Sequence, residues 1–514
     1  MSEAAAQKPA PPPQTPFNFR LAMGLLGVLL AAMVAGLNEK VAGLTLPDIS
    51  GALGFSHDGA SWLDSFYAAG EMAAMPFSTW FAITFSLRRF HLLLQAVVLL
   101  IALILPGIHN LYLLCALRLL QGFFAGALIP LLMMAALRFL PAPIRLHGLA
   151  LYAMTATLAP NIGIWLAAVC VDYFNDWRLV YWHIIPLGLI AMGLVGWGIP
   201  KLPLALPRIK QGNWLGMAIG IPGLMLLAIA FSQGVRLDWF NSPIVCAAMF
   251  SGGLLTALFL YGEWCHPTPF IKLQMVVERR NLWLGFTVFF LMLMGMSSAV
   301  VIPVQVLESL HDFRMPQLAT LGLIVGLPQL VLGSVVAILL YQRWVDARKL
   351  FALGLALMAL ACWLNTSITS QWMVAQFFWA QVLQALGQPM AVVSLLFLAT
   401  SMVQPMEGPY VSGIVNVLRA MGTTFAGGII GQILKDRSDF HRHTLAGELG
   451  HWQSTPVGHD AGQYSGLIGQ QSAVMASADL YWLFTGLFVV LIPVVLCLKY
   501  IPAPVVNTTK SANS

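Results

Sequence analysis

The sequence contains few charged residues. Only 9% of its 514 residues are Asp, Glu, Lys or Arg, whereas soluble domains carry roughly 25%. Hydrophobic residues make up 59% of the chain, and its mean hydropathy is +0.81. A soluble protein needs more exposed polar surface than this composition supplies. The composition therefore excludes a water-soluble protein and predicts an all-α polytopic membrane protein.

Several chemical signatures are also missing. The six cysteines lie far apart with no CxxC pair, which argues against a disulfide framework or a metal site. The sequence has no Walker motif, so ATP is not expected to drive the protein directly. It has no Lys/Arg cluster dense enough for nucleic acid and no nucleophile–base pair of an enzyme. We therefore expect no metal, no cofactor, no nucleic-acid partner and no enzymatic activity.

Apolar segments long enough to cross a membrane recur along the whole chain. A spanning helix needs about 20 largely apolar residues, and this criterion predicts 14 transmembrane helices. Prolines within these spans predict kinks at Pro47, Pro76, Pro130, Pro160, Pro328 and Pro389. The predicted spans are 19–47, 58–85, 90–108, 111–137, 147–170, 179–199, 212–232, 243–262, 282–306, 316–341, 349–368, 371–400, 409–434 and 479–500.

The distribution of basic residues predicts the orientation. With both termini in the cytoplasm, 17 of the 26 Lys and Arg residues lie in inner segments and 7 in outer segments, and the other two lie within spans. An excess of Lys and Arg on the cytoplasmic side is typical of membrane proteins. The one long connection, residues 435–478, then lies outside. It is polar and rich in Gly, His and Gln, and we expect an exposed loop, partly helical around 463–477, rather than a metal site.

Two acidic residues occur within the second span. Asp64 and Glu71 are seven residues apart and so share one face of a helix, and Glu71 lies about 20 Å from the outer end. A carboxyl group held away from water favours its protonated form. Glu71 is therefore a candidate for proton or substrate coupling, and the alternative is a neutral, hydrogen-bonded packing residue.

Two arginines lie within spans and need a partner or water. Arg118 has Glu71, Asn38 or Glu39 as candidate partners. Arg419 either lines the interior or extends its side chain to the lipid head groups. In the same two spans, small residues permit close approach between helices, namely Gly122 and Gly126 in one and Gly422, Gly427, Gly428 and Gly431 in the other.

Several motifs resemble those of the major facilitator superfamily, and within it the 14-span drug:proton antiporters of the EmrB/QacA type. The segment RLLQGFFAGALIP, residues 118–130, resembles the RxxQG motif. APNIGIWLAA, residues 159–168, occupies the place of the antiporter motif. LDWFNSP, residues 237–243, resembles the EmrB-type loop, and NVLRAMG, residues 416–422, resembles the NxxRxxGG pattern. The likeness covers roughly residues 20–500.

The resemblance implies a major facilitator fold of two six-helix halves with two helices inserted between them (6 + 2 + 6). The implied divisions are a disordered tail 1–17, an N-terminal bundle 18–200, inserted helices 201–270, a C-terminal bundle 271–500 and a tail 501–514. It also implies alternating access in a bacterial inner membrane, with export of amphipathic small molecules driven by the proton gradient. A periplasmic adaptor and an outer-membrane channel are the implied candidate partners.

The resemblance assigns roles to individual residues. Asn38 stands where relatives carry an acid, and asparagine cannot titrate, so we expect proton coupling to rest on Glu71, assisted by Asp64, Glu39 and Arg118. The implied cavity residues are Asn38, Gln121, Asn161, Asn416 and Arg419. The implied gating residues are Gly122, Gly126, Pro160, Gly163, Arg88 and Arg89. The last two lie in WFAITFSLRRF, residues 80–90, which has lost the family's Asp and both glycines.

Two other functions remain open from the sequence. The same fold could export one endogenous metabolite, such as a siderophore or secondary product. The altered motifs are also compatible with a transport-inactive sensor. Cargo charge divides the alternatives further, because Asp64 and Glu71 suit cations whereas Arg118 and Arg419 suit anions.

Overall fold

The computed structural model describes residues 17–404, 407–451 and 461–503, and this part of the chain is helical without strands. Its eighteen α-helices begin with α1 (Phe19–Leu44), α2 (Leu46–Leu53), α3 (His57–Phe85), α4 (Leu87–Ile104), α5 (Leu111–Phe139), α6 (Ala142–Ala168), α7 (Leu179–Trp182), α8 (Ile184–Gly198) and α9 (Trp214–Gln233). They continue with α10 (Pro243–Cys265), α11 (Leu273–Glu278), α12 (Arg280–Met296), α13 (Val301–His311), α14 (Met315–Leu340), α15 (Ala347–Asn365), α16 (Phe378–Thr400), α17 (Gly408–His451) and α18 (Ala461–Leu496).

Thirteen helical segments of the described residues are long and apolar enough to cross a membrane. The predicted span 58–85 forms the 29-residue helix α3 but is not among these thirteen. The protein is thus a multi-pass membrane protein, while the count of fourteen spans and the position of the termini stay predictions. We call the face where α1 begins the inner face, following the predicted orientation, and the opposite face the outer face.

Polar side chains fix the starts of the long N-terminal helices. The side-chain oxygens of Asn18, Ser56 and Asn110 accept hydrogen bonds from backbone N–H groups in the first turns of α1, α3 and α5. These N–H groups have no partner within the helix, and such caps satisfy them. The apolar positions of the same helices then pack into a large core and a smaller separate cluster.

Helix packing divides the chain into two sets that meet along a seam. Helices α1, α3, α4, α5, α6 and α8 pack on one another, as do α12, α14, α15, α16, α17 and α18. Across the seam α6 packs on α14 and α3 on α17. Helices α9 and α10 pack on each other, and α9 packs against both α3 and α17. The ring of Phe231 on α9 stacks on that of Phe425 on α17 with centroids 3.7 Å apart.

An aromatic cluster joins the inner end of α3 to the inserted pair. Trp80, the first residue of the segment that has lost its glycines, lies 5.1 Å from the ring of Phe270 and 5.7 Å from that of Trp214, both edge-on. Aromatic pairs at such distances contribute roughly 0.5–1.5 kcal/mol beyond their buried area. Trp80 therefore anchors α9 and the segment after α10 to the N-terminal helices.

Of the expected loop over residues 435–478, the part 435–451 is wrong, because these residues continue α17 without a break. The predicted helix around 463–477 is confirmed, since these residues belong to α18, and residues 452–460 lie outside the described residues. Between Gly431 and Gly447 the sequence has neither Gly nor Pro, so nothing in it terminates the helix. The two extensions are joined because Arg437 and His441 each contact the Asp479 carboxylate at 2.7 Å.

Candidate functional site

Glu71 lies at the middle of α3, fourteen residues from either end. Its side chain is buried. Glu39 on α1, Lys40 and Arg419 are its charged neighbours. The predicted position near the membrane midplane thus corresponds to a site where a second carboxyl group lies alongside Glu71.

The adjacent residues Glu39 and Lys40 form an ion pair. The Lys40 Nζ lies 2.7 Å from Glu39 Oε1. Asp64 lies on the same side of α3 as Glu71 and close to α1. A Cβ added to Gly43 of α1 would be 3.1 Å from the Oδ1 of Asp64. Lys40 is therefore surrounded by the carboxyl groups of α1 and α3, which offsets the cost of holding its charge away from water.

Arg118 does not pair with any of the partners expected from the sequence. It is 1% exposed, and no carboxylate of the described residues lies within the 4.0 Å of a salt bridge. Its guanidinium lies instead over the ring of Tyr67, 4.2 Å from the centroid, and donates a 2.8 Å hydrogen bond to Gln121 Oε1. The physical reason is that Lys40 already holds Glu39, while the Tyr67 ring covers the guanidinium. Its Nε and one terminal nitrogen have no hydrogen-bond partner among the described residues.

Tyr67 connects α3 to α1. Its hydroxyl donates to the carbonyl of Ala35 and accepts from Asn38 Nδ2, both at 3.3 Å. Asn38 is fully buried, so it lies within the bundle as the family position implies. Sequence reasoning missed Tyr67, although its place three residues after Asp64 and four before Glu71 puts it on the same helix face.

Two glycines allow α5 to approach this part of α3. A Cβ added to Gly122 would lie 2.2 Å from the Tyr67 carbonyl oxygen, and one added to Gly126 would lie 2.6 Å from the Glu71 Cα. Real Cβ atoms do not tolerate such distances, so the two helices are in contact through backbone. Their predicted gating role is a separate matter and stays a prediction.

A second polar cluster crosses the seam between α6 and α17. Arg419 donates to the Thr155 hydroxyl and to the Thr155 carbonyl, each at 2.8 Å. The Tyr152 hydroxyl donates to Asn416 Oδ1 at 2.8 Å. Arg419 therefore faces the other half of the protein and not the lipid head groups. Tyr152 and Thr155 were not found from sequence, because their partners lie 264 residues away in the chain.

The remaining predicted cavity and hinge residues lie on α6 near its outer half. Asn161 is buried, its amide donates to the Thr157 carbonyl, and its Oδ1 has no partner among the described residues. Its backbone carbonyl packs against Gly322 of α14. Pro160 lies within α6, and Gly163 faces Lys40, whose Cβ would be 3.0 Å from an added methyl group.

Arg88 and Arg89 lie at the inner face, away from both clusters. Arg88 donates to the carbonyl of Ile199 at 3.4 Å, while Arg89 is exposed. The structure does not bring them to the buried polar groups. Among all the residues that the structure describes, no group of three His, Cys, Asp or Glu side chains is arranged to hold a metal ion.

At the outer face one arginine joins the two halves. Arg314, at the start of α14, lies 3.2 Å from Asp48 Oδ1 on α2 and 3.0 Å from Asp172 Oδ1 after α6. All three residues belong to the outer ends of helices. The seam is therefore held at the outer face by charge and near the middle by the Arg419 and Tyr152 contacts.

Comparison with known proteins places this architecture in a family. Residues 28–330 match the sequence model of the Major Facilitator Superfamily, which is more than half of the chain. The chain therefore belongs to the major facilitator superfamily. It is a transporter rather than an enzyme.

Relatives of known name are distant but match along nearly the whole chain. The multidrug export protein EmrB of Escherichia coli K12 is 21% identical, with 93% of this chain and 95% of that protein aligned. The fatty acid resistance protein FarB of Neisseria gonorrhoeae is 22% identical over 92% and 95%. The colistin resistance protein EmrB of Acinetobacter baumannii is 24% identical over 77% of each chain.

Solved structures agree on the fold. The human organic anion transporter MFSD10 (TETRAN) superposes with a TM-score of 0.57 at 15% identity, over 92% of this chain and all of that one. The proton:xylose symporter XylE gives a TM-score of 0.54 at 15% identity, over 91% and 96%. At these identities the likeness concerns the major facilitator fold alone.

Proposed function

We propose that this transporter exports amphipathic small molecules in exchange for protons, and that Glu71 and Glu39 carry the coupling proton. The observation that carries the proposal is that the buried carboxyl of Glu71 lies beside the half-buried carboxyl of Glu39. Two carboxyl groups close to each other and away from water are not both ionised without cost, because their like charges repel. The pair is therefore suited to bind and release one proton.

The position of the pair supports coupling to the movement of the halves. Glu71 and Glu39 belong to the N-terminal helices, whereas their cationic neighbour Arg419 belongs to α17 on the other side of the seam. Deprotonation of the pair would add a negative charge that attracts Arg419 across the seam. Loading and release of the proton would in this way favour different arrangements of the two halves.

The relatives support export and the location. Their names describe multidrug export, fatty acid resistance and colistin resistance in bacteria. We accordingly place the protein in a bacterial inner membrane with export as its direction. The adaptor and the outer-membrane channel implied by the sequence resemblance stay predictions.

Everted vesicles with an imposed pH gradient test the proposal. A panel of amphipathic cations and anions is offered to the wild type, to Glu71→Gln and to Glu39→Gln. We expect the transport rate of Glu71→Gln at neutral pH to fall by about tenfold or more, within the usual range of coupling between sites. Glu308→Gln, which changes a half-buried carboxyl of α13 outside the cluster, is the matched control.

Either of two results overturns a part of the proposal. If Glu71→Gln transports at the wild-type rate and with the same dependence on the pH gradient, the Glu39–Glu71 pair does not carry the proton. If none of the panel is accumulated by the wild type under any gradient, export of amphipathic molecules is itself wrong.

A further inference from the structure

A cavity opens at the inner face of the seam between the two halves. Its walls come from α5 and α6 on one side and from α14, α16 and the start of α17 on the other, and it encloses about 170 Å³. Because both halves contribute, its shape depends on their relative position. The lining residues are Leu137, Arg145, Leu146, Leu149, Tyr341, Phe397, Thr400, Ser401, Val403, Gln404 and Gly408.

The charge in this cavity is positive and not neutralised. Arg145 is the single charged residue among the described residues that line it. Its guanidinium contacts only the Leu140 carbonyl, at 3.4 Å from two of its nitrogens, and it makes no salt bridge within the described chain. The acid next to the lining residue Gly408 is Glu407. Its carboxylate already pairs with Arg279 at 2.7 Å and Lys272 at 3.9 Å. A free guanidinium can therefore bind an anion from the inner side.

The rest of the lining is divided between apolar and polar groups. Leu137, Leu149 and Phe397 supply apolar surface, while Tyr341, Thr400 and Gln404 supply hydroxyl and amide groups. Binding sites for small molecules combine an apolar wall with a few fixed polar groups. This cavity suits a ligand with an apolar body and an anionic head.

The second guanidinium of the seam, that of Arg419, lies farther along the same two helices as the cavity. Along α6, Arg145 and Thr155 are ten residues apart, or about 15 Å, and Arg419 binds to Thr155. The hydrogen bond of Tyr152 to Asn416 lies between them, one turn from Thr155 and Arg419 on the same two helices. This contact crosses the seam at a position between the cavity and Arg419 along the two helices.

We propose that the inner cavity binds an amphipathic anion by its carboxylate at Arg145, and that this anion then moves to Arg419 when the contact of Tyr152 with Asn416 opens. The inference rests on the proposed export function and adds to it the charge class of the cargo. Arginine suits this role because its fork of N–H groups binds a carboxylate through two hydrogen bonds.

A binding measurement on the full-length protein tests the inference without any pH gradient. Radiolabelled dodecanoate is added to the protein in phosphatidylcholine nanodiscs, with empty nanodiscs subtracted, and dodecanol and dodecyltrimethylammonium serve as matched neutral and cationic probes. We expect dodecanoate to bind most tightly. Arg145→Gln should weaken dodecanoate binding by about tenfold or more and leave dodecanol binding unchanged, whereas Arg145→Lys, which keeps the charge but loses the fork of N–H groups, should bind with an affinity between those of Arg145→Gln and the wild type.

The matched control is Arg343→Gln, which removes an exposed inner arginine outside the cavity and should leave binding unchanged. The inference is overturned if dodecyltrimethylammonium binds as tightly as dodecanoate, or if Arg145→Gln behaves like Arg343→Gln. It is also overturned if phosphatidylglycerol displaces dodecanoate with equal or higher affinity, because the occupant is then a lipid head group. Intact dodecanoate binding together with proton-independent transport would contradict the proposed function alone.

Discussion

The guanidinium of Arg118 lies 4.2 Å from the centroid of the Tyr67 ring, with no carboxylate of the described residues in salt-bridge range. A buried arginine costs free energy unless its charge is compensated. Here the compensation comes from the face of an aromatic ring and from Gln121. Because Arg118 is held by a ring and not by a carboxylate, it does not compete with protons for the acids of α1 and α3.

The first prediction concerns this contact. Tyr67→Phe keeps the ring and loses the bonds to Ala35 and Asn38, so it should cost about 1 kcal/mol of unfolding free energy. Tyr67→Leu also removes the cation–π contact and should cost about 2 kcal/mol more. Thermal unfolding of both variants in detergent gives the difference. Equal melting temperatures for the two variants would contradict the role of the ring.

The second prediction concerns the approach of α5 to α3. Gly122→Ala and Gly126→Ala place a methyl group against the backbone of Tyr67 and Glu71, and we expect each to destabilise the protein by roughly 1–3 kcal/mol. Gly427→Ala on α17, whose added Cβ meets nothing within 4 Å, is the matched control. It should be neutral or slightly stabilising, because Ala favours a helix over Gly. Thermal unfolding of the three variants measures this.

The third prediction concerns the ion pairs of Arg314 at the outer face. Arg314→Gln removes both contacts to Asp48 and Asp172 and should raise the labelling rate of a cysteine placed at Leu318 by about two- to fivefold at low salt. The effect stays small because the Arg314 side chain is 63% exposed and exposed pairs contribute about 0.2–1 kcal/mol. In 1 M salt the difference should disappear. A difference that persists at high salt would mean that the charge is not its cause.

The fourth prediction concerns pH at the inner face. Partial burial acts to raise the pKa of Glu407. The hydrogen bonds that its carboxylate accepts from Arg279 and from the Gln404 backbone, together with the positive charges of Arg279 and Lys272, outweigh burial and hold the pKa below the ordinary 4.5. A lowered pKa means that the carboxylate stabilises the folded state above pH 4.5, and that this contribution is lost as the pH falls through the folded-state pKa.

Glu407→Gln should therefore melt below the wild type at pH 7, with the gap narrowing at acid pH. The exposed Glu278→Gln is the control and should show no gap. Melting curves recorded from about pH 3.5 to 7, a range that includes the ordinary glutamate pKa of 4.5, measure both variants. A gap of constant size over that range would remove the carboxylate from the explanation.

Much of the fold followed from the apolar runs, because every predicted span is largely helical in the described residues, although some, such as 179–199 and 282–306, are divided between two helices. The central position of Glu71 followed from counting residues along one helix. The partner of Arg118 did not, since it depends on which residues of α1 and α5 turn toward α3. The contacts of Arg419 and Tyr152 depend on how the two halves meet, and no local pattern contains that information. The helical extension over 435–451 was missed because polar composition was taken to mean a loop.

The length of α17 has a mechanical consequence. Its 44 residues correspond to about 66 Å of helix, roughly twice the apolar thickness of a bilayer. Arg419 divides it into a short inner arm and an outer arm of 32 residues, or about 48 Å. A tilt of about 10° around Arg419 would move the outer tip by about 8 Å by this geometry. A rotation of the helix around Arg419 would therefore move its outer end farther than its inner end.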